Sequence, residues 1–242
     1  MKNNKINFKD IPIIFEHNDF IAINKPYGIA SQGGTNISSS IDSIFSKKNG
    51  SDFDYKLVHR LDKHTTGILI LAKYKNAANK LGKLFFEHKI NKTYVALVKG
   101  NLKNATGSID FPLQKTSKLG KEIISIKHRD LKNFKDAKEA LTYYEMIDYA
   151  HNYTSLLKLT PISGRKHQLR VHLSAIGNPI IGDGKYGGKN AFINELSNKL
   201  HLHCGMIEFT FKGKKITLKS DLPEYFKEDI LKFGLNFKIK KL

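Results

Sequence analysis

The chain has 242 residues, of which 40% are hydrophobic, enough to bury a real core and too apolar for a disordered polymer. Lys and Arg total 41 against 22 Asp and Glu, a formal charge of +19 that calls for a polyanionic partner, RNA or DNA before a membrane surface. No apolar stretch approaches the ~20 residues of a bilayer span. The start at Met1–Lys5 carries no secretory signal, and the single cysteine, Cys204, has no internal disulfide partner. A soluble cytoplasmic protein is expected, with no membrane partner.

Residues 1–10 read as a short basic tail and residues 11–242 as the folded domain. Ile13–Phe15 and Phe20–Ile23 are strand-like runs around the turn-like Asn18-Asp19, and Pro26 and Gly28 stop the second and present Lys25 at its tip. Gln32–Thr35 is a flexible loop, and Ile41, Ile44 and Phe45 suggest one or two helical turns. In the stretch 58–73, an aliphatic run from Gly67 to Ala72 reads as a fully buried strand. Its mouth packs His59, Arg60, Asp62, Lys63, His64, Thr65 and Thr66 into one loop. Ionisable groups on a loop held by a rigid strand are the usual anatomy of a functional site, and a charged turn is the plain alternative.

Asn76 can cap a helix whose apolar face is Ala77, Ala78, Leu81, Leu84 and Phe85. Lys92–Val98 is a strand with Tyr94, Ala96 and Val98 on one face. Residues 114–139 read as a basic loop excursion, and strands return at Ala140–Ile147 and Ser155–Thr160. Ser163 is the expected N-cap of a helix with a buried stripe of Leu169, His172, Leu173 and Ile176, stopped by Gly177-Asn178-Pro179. Arg165, Lys166, His167, Gln168 and Arg170 then crowd its first turns. Cations there oppose the helix dipole, which makes an anion such as a phosphate the expected occupant and a solvated face the alternative. Leu200–Phe211 alternates as a strand containing Cys204, expected to be a small core residue rather than a nucleophile. Lys212–Lys215 is a hairpin turn, and Pro223–Phe233 a last helix.

Several chemistries find no support in the sequence. His167 and His172 stand five apart, not the four that aligns two ligands on a helix face, and His201 and His203 have no accompanying cysteine or acidic cluster, so no metal is expected. There is no dinucleotide or phosphate-loop glycine motif and no nucleophile elbow. A lone carboxylate in a basic setting remains.

Those residues resemble a known family. His59-Arg60-Leu61-Asp62 with Thr65-Thr66-Gly67 is similar to the catalytic motif of the RluA family of RNA pseudouridine synthases. Asn24-Lys25-Pro26-x-Gly28 resembles its first motif and Lys92-x-Tyr94-x-Ala96-x-Val98 its tyrosine strand. Gly164-Arg165-x-His167-Gln168-Leu169-Arg170-x-His172 resembles its late motif, followed by Gly177-x-Pro179-Ile180-x-Gly182-Asp183 and Leu202-His203. His64 stands where the family commonly has an acidic residue, Thr66 where it has Ser, and Cys204 where Ala is frequent. Gln32-Gly33-Gly34 and Ile41-Asp42 resemble the RluC-like branch. Members of that branch usually carry an S4 domain ahead of the catalytic one, whereas about ten residues precede the first strand here, too few for a domain.

The resemblance implies a single α+β catalytic domain on a mixed, mainly antiparallel sheet with flanking helices, working as a monomer without a cofactor. It casts Asp62 as the essential carboxylate, Tyr94 as the aromatic stacked on the uracil with its hydroxyl near the sugar, and Arg170 as the cation that keeps Asp62 ionised. Arg60 would fill the place of the flipped base or hold its phosphate. Lys25, Arg165, His167 and Gln168 would grip RNA backbone, with His203 and Leu202 as wall. The expected substrate is large-subunit ribosomal RNA, with transfer RNA as the alternative. A non-catalytic RNA-binding or ribosome-assembly factor is the rival from another class. A nucleosidase or glycosidase is a third reading that lacks paired carboxylates.

Overall fold

The aliphatic run that ends at Ala72 is a strand sealed on both faces, which is why it reads as continuously apolar rather than alternating. A computed structural model describes residues 7–34, 37, 39–46, 52–118, 120–127, 137–151 and 153–237. In chain order these form β1 (Ile13–Glu16), β2 (Phe20–Lys25), α1 (Ile41–Ile44), β3 (Lys56–Leu57), β4 (Thr66–Ala72), α2 (Lys75–Phe86), β5 (Ile90–Lys99) and β6 (Thr106–Ile109). They continue through β7 (Leu113–Lys118), β8 (Lys121–Ile126), β9 (Thr142–Ala150), β10 (Thr154–Pro161), α3 (Gln168–Ala175), β11 (Leu202–Phe211), β12 (Lys214–Lys219) and α4 (Glu224–Lys232). Residues 1–6 of the expected tail lie outside the described residues, and Phe8–Asp10 form a single 3-10 turn.

The chain groups into two compact units, one of residues 1–91 with 203–223 and one of residues 92–202 with 224–242. In the first, β1 pairs antiparallel with β2, β2 with β4, β3 with β4, and β12 with β11. β11 runs parallel to β4, setting Cys204 opposite Gly67. Gly67 has φ +107°, and a Cβ there would lie 2.3 Å from the Cys204 carbonyl oxygen, so the approach of these two backbones requires glycine. Cys204 is buried, as expected of a core residue. Lys212 and Gly213, at φ +50° and +79°, make the two-residue turn between β11 and β12, the left-handed pair that matches strand twist.

In the second unit β5, β10, β9 and β6 pair antiparallel in that order, and α3 packs on β10. The expected α+β class with mixed, mainly antiparallel pairing and flanking helices is what the structure has. Segment 114–139 differs from the expected loop, because β7 and β8 form an antiparallel hairpin over 113–126. Leu113 and Ile124 turn inward onto Ala140 and Val171, and that small apolar cluster pins a hairpin whose remaining residues read as polar. Positions 119 and 128–136 of that segment are outside the described residues.

Two helix starts also shift. The α2 N-cap is Tyr74 rather than Asn76, and the α3 N-cap is His167, at φ +54°, rather than Ser163. Ile176, expected in the buried stripe of α3, is 36% exposed because it follows the last helical residue.

Candidate active site

The loop between β3 and β4 is held from several sides. The Ser31 hydroxyl donates to the Leu61 carbonyl at 2.7 Å and accepts from the Leu61 amide at 3.0 Å, fixing the residue before Asp62 in both senses. The Thr65 amide donates to the Asp62 carbonyl at 3.1 Å and closes a turn on the other side. His59 accepts from the Ile70 amide at 2.9 Å and stacks on Phe85, which makes it a support of β4. The Asp62 side chain is half-buried, and Arg60 stands exposed. His64 stacks on Tyr27 with ring centres 5.1 Å apart.

Lys25 departs from expectation. Its side chain is 0% exposed, so it is not a loop lysine presented to RNA backbone. The ammonium donates to the carbonyls of Pro26 (2.9 Å), Ile29 (2.9 Å) and Lys63 (3.2 Å). The glycine and proline after β2 turn the chain back so that these carbonyls converge on the strand's last side chain. Burial lowers the Lys25 pKa to about 7, and the charge of Asp62 opposes that fall. The first unit thus brings Lys25 and Asp62 into electrostatic contact.

Behind the loop, Thr66 Oγ1 lies 2.9 Å from His203 Nδ1, and His203 Nε2 lies 3.2 Å from the Ser220 carbonyl. Burial depresses His203 to about 4, so the ring is neutral, donating from Nε2 to Ser220 and accepting from Thr66. The ring is sealed from solvent within the first unit.

The other candidates lie in the second unit. Tyr94 is buried on β5 opposite Leu159 of β10. Arg170, on α3, is buried and donates Nε and an Nη to Asp183 at 2.8 and 2.7 Å, a bidentate pair. Its guanidinium stands 5.0 Å from the centre of the Tyr186 ring, and the Tyr186 hydroxyl bonds His167 Nδ1. Gln168, expected to grip backbone, is instead buried and fully engaged. Its carbonyl accepts from Ser163 Oγ and the Arg165 amide, and its amide donates to Leu141 O and Thr142 Oγ1. It shapes the segment that carries Arg165 rather than touching a ligand. Arg165 is exposed, with Nε on the Glu139 carbonyl.

His172 continues this network, with Nδ1 3.0 Å from Thr142 Oγ1 and Nε2 2.9 Å from Phe111 O. Burial lowers its pKa, and the neutral Nε2–H ring completes an unbroken run of donors from Gln168 through Thr142 to Phe111.

Sequence reasoning missed Ser31, Thr142, Asp183 as the mate of Arg170, and Tyr186. Asp183 carried a signal, as an aspartate in a Gly-Asp-Gly turn, but its partner lies thirteen residues back on a helix. Among the described residues no cluster of His, Cys, Asp and Glu could hold a metal ion.

Residues 19–175 match the family model described as RNA pseudouridylate synthase. The chain is 38% identical over 216 residues to a ribosomal large subunit pseudouridine synthase C of Rickettsia bellii, covering 88% of this chain and 69% of that protein. It is 35% identical to a dual-specificity RNA pseudouridine synthase RluA of Vibrio parahaemolyticus, over 81% of this chain and 76% of that one. The solved structure of human RNA pseudouridylate synthase domain containing 4 superposes with a TM-score of 0.76 at 27% identity, covering 93% of this chain and 94% of the other.

Proposed function

The chain belongs to the RNA pseudouridylate synthase family and is an RNA pseudouridine synthase, and on that premise we propose that it isomerises specific uridines of large-subunit ribosomal RNA with Asp62 as the essential carboxylate. The reaction breaks the N1–C1′ bond, rotates the uracil and rejoins it through C5. Atoms and electrons balance within the nucleotide, so the chemistry itself calls for no redox partner. A base in folded RNA must first leave its stack.

One observation supports Asp62 above the other acids: its loop is fixed at Leu61 and Thr65, beside the buried Lys25 amine whose protonated form the Asp62 charge favours. Whether Asp62 attacks the sugar or removes a sugar proton, it acts as the anion. Tyr94 stacks on the uracil with its hydroxyl as proton acceptor. Arg170 is held by Asp183 in a bidentate pair, Arg60 stands in for the flipped base, and Arg165 and His167 hold phosphates. In this reading the enzyme works in the cytoplasm as a monomer.

The relative named as dual-specificity keeps the transfer-RNA alternative in the same experiment. Ribosomal and transfer RNA are incubated with the protein and with Asp62→Asn, and new pseudouridines are mapped. The expected result is product in ribosomal RNA from the wild type alone, with RNA affinity of Asp62→Asn within a few-fold. Product only in transfer RNA moves the substrate. Equal product from Asp62→Asn overturns the assignment, and no product from the wild type leaves the non-catalytic factor.

A further inference from the structure

β6, β9 and β10 present one polar face that carries none of the residues given a part in the reaction. Strand register sets Thr106, Glu145 and Lys158 in one cross-strand row and Ser108, Tyr143 and Thr160 in the next. Alternation along each strand puts all of them on the same side. They line a cavity of about 530 Å³ that opens to solvent, within the roughly 300–1,000 Å³ of small-molecule sites. Tyr143 is 49% exposed there, an unusual position for a large ring in the middle of a paired strand. Glu145 and Lys158 face each other at 3.4 Å, so the cavity offers donors and an acceptor side by side.

We propose that this cavity receives one unpaired nucleotide of the RNA substrate, with its base laid on Tyr143 and its edge met by Lys158 and Glu145. The proposal rests on the reading above that the substrate is structured RNA. Proteins that recognise RNA by sequence target splayed-out bases, stacking them on aromatic rings and hydrogen-bonding their edges, and this face supplies both elements. An open, hydroxyl-lined cavity suits a base still joined to its chain, whereas a free metabolite is better held in an enclosed apolar one. The +19 charge draws a polyanion to the protein. β10 leads from the cavity directly into the segment bearing exposed Arg165 and Lys166, where the adjoining phosphates would be held. The pocket would thus select sites by a base other than the uridine that reacts.

The test uses the intact protein and a ribosomal RNA fragment containing the mapped site. Tyr143→Ala should weaken RNA affinity about tenfold through loss of a stacked base, and Tyr143→Phe should restore it to within about twofold of wild type, as the same stacking argument requires. Turnover at saturating RNA should not change, because Tyr143 takes no part in the chemistry. Ultraviolet cross-linking of the unaltered protein should join the peptide around Tyr143 to a nucleotide other than the target uridine, which covers the case in which the alanine variant fails to fold. A folded Tyr143→Ala that binds as tightly as wild type overturns the pocket, as does a cross-link map without that peptide or a protein partner seated there in place of RNA. If the wild type isomerises no uridine in any RNA, the underlying reading fails, and that result is distinct from an active enzyme indifferent to Tyr143.

Discussion

Lys25→Met keeps the buried aliphatic stem and deletes the amine, so its consequences can be worked from the carbonyl cage. The Lys63 carbonyl still accepts from the Gly28 amide at 3.1 Å, but Ile29 O and Pro26 O lose the amine's bonds. One buried acceptor left without that bond costs about 1–3 kcal/mol and the more exposed one less, for a total of ~2–4 kcal/mol. Acting against this is the cost of burying a cation, and it depends on pH. The folded pKa is about 7 against an ordinary value of 10.5. Between those values the unfolded chain holds a proton that the native chain lacks, so native stability rises with pH at ~1.4 kcal/mol per unit. Below the folded pKa both states hold the proton and the slope vanishes. The methionine variant has no such slope.

The stability gap between wild type and Lys25→Met should therefore be ~1–3 kcal/mol in favour of wild type at pH 9.5, where the slope has already removed ~1.4 kcal/mol, and should fall by a further ~3 kcal/mol at pH 6, leaving the methionine variant the more stable. Urea denaturation of both proteins at the two pH values reads the gap directly, since other titrating groups cancel in the difference. Nitrogen-detected titration of Lys25 in Asp62→Asn should show its pKa falling further, because the carboxylate that favours the ammonium is gone. A gap that is the same at both pH values would refute the buried, depressed lysine.

Asp183→Asn leaves the Arg170 guanidinium with a neutral partner in a buried setting, and should cost about 3 kcal/mol in urea denaturation; no measurable loss would mean the bidentate pair is not formed. Gly67→Ala combines an unfavourable φ with a clash against the Cys204 backbone and should lose about 3–5 kcal/mol of stability or fail to fold, read from the melting temperature. Tyr94→Phe should lower the rate by about 10²–10⁴-fold with little change in KM if the hydroxyl accepts a proton. A rate equal to wild type would exclude that role.

The loop that bears Asp62 was the most legible part of the chain. β4 is buried on both faces, so its apolar run announces both the strand and the loop that it anchors, and the late motif is equally local. Helix α3 was legible in its body and misread at its start. Ser163 has the right chemistry for a cap, but Gln168 captures its hydroxyl, and the helix begins after a left-handed His167. The β7–β8 hairpin was misread because its inward residues are few and their partners, Ala140 and Val171, come from distant parts of the chain.

Residue type and spacing along the chain determined the family, the strand that anchors the Asp62 loop, and the order of the motifs. Burial was decided only in three dimensions. A lysine beside a proline reads as a solvent-facing loop until the chain's return brings the carbonyls of Ile29 and Lys63 around its amine. An arginine on a helix has no visible mate until Asp183 arrives from the next turn of chain. Charges and donors are properties of single residues, but desolvation and pairing depend on which backbone folds over them, and that information is held by contacts distant in sequence.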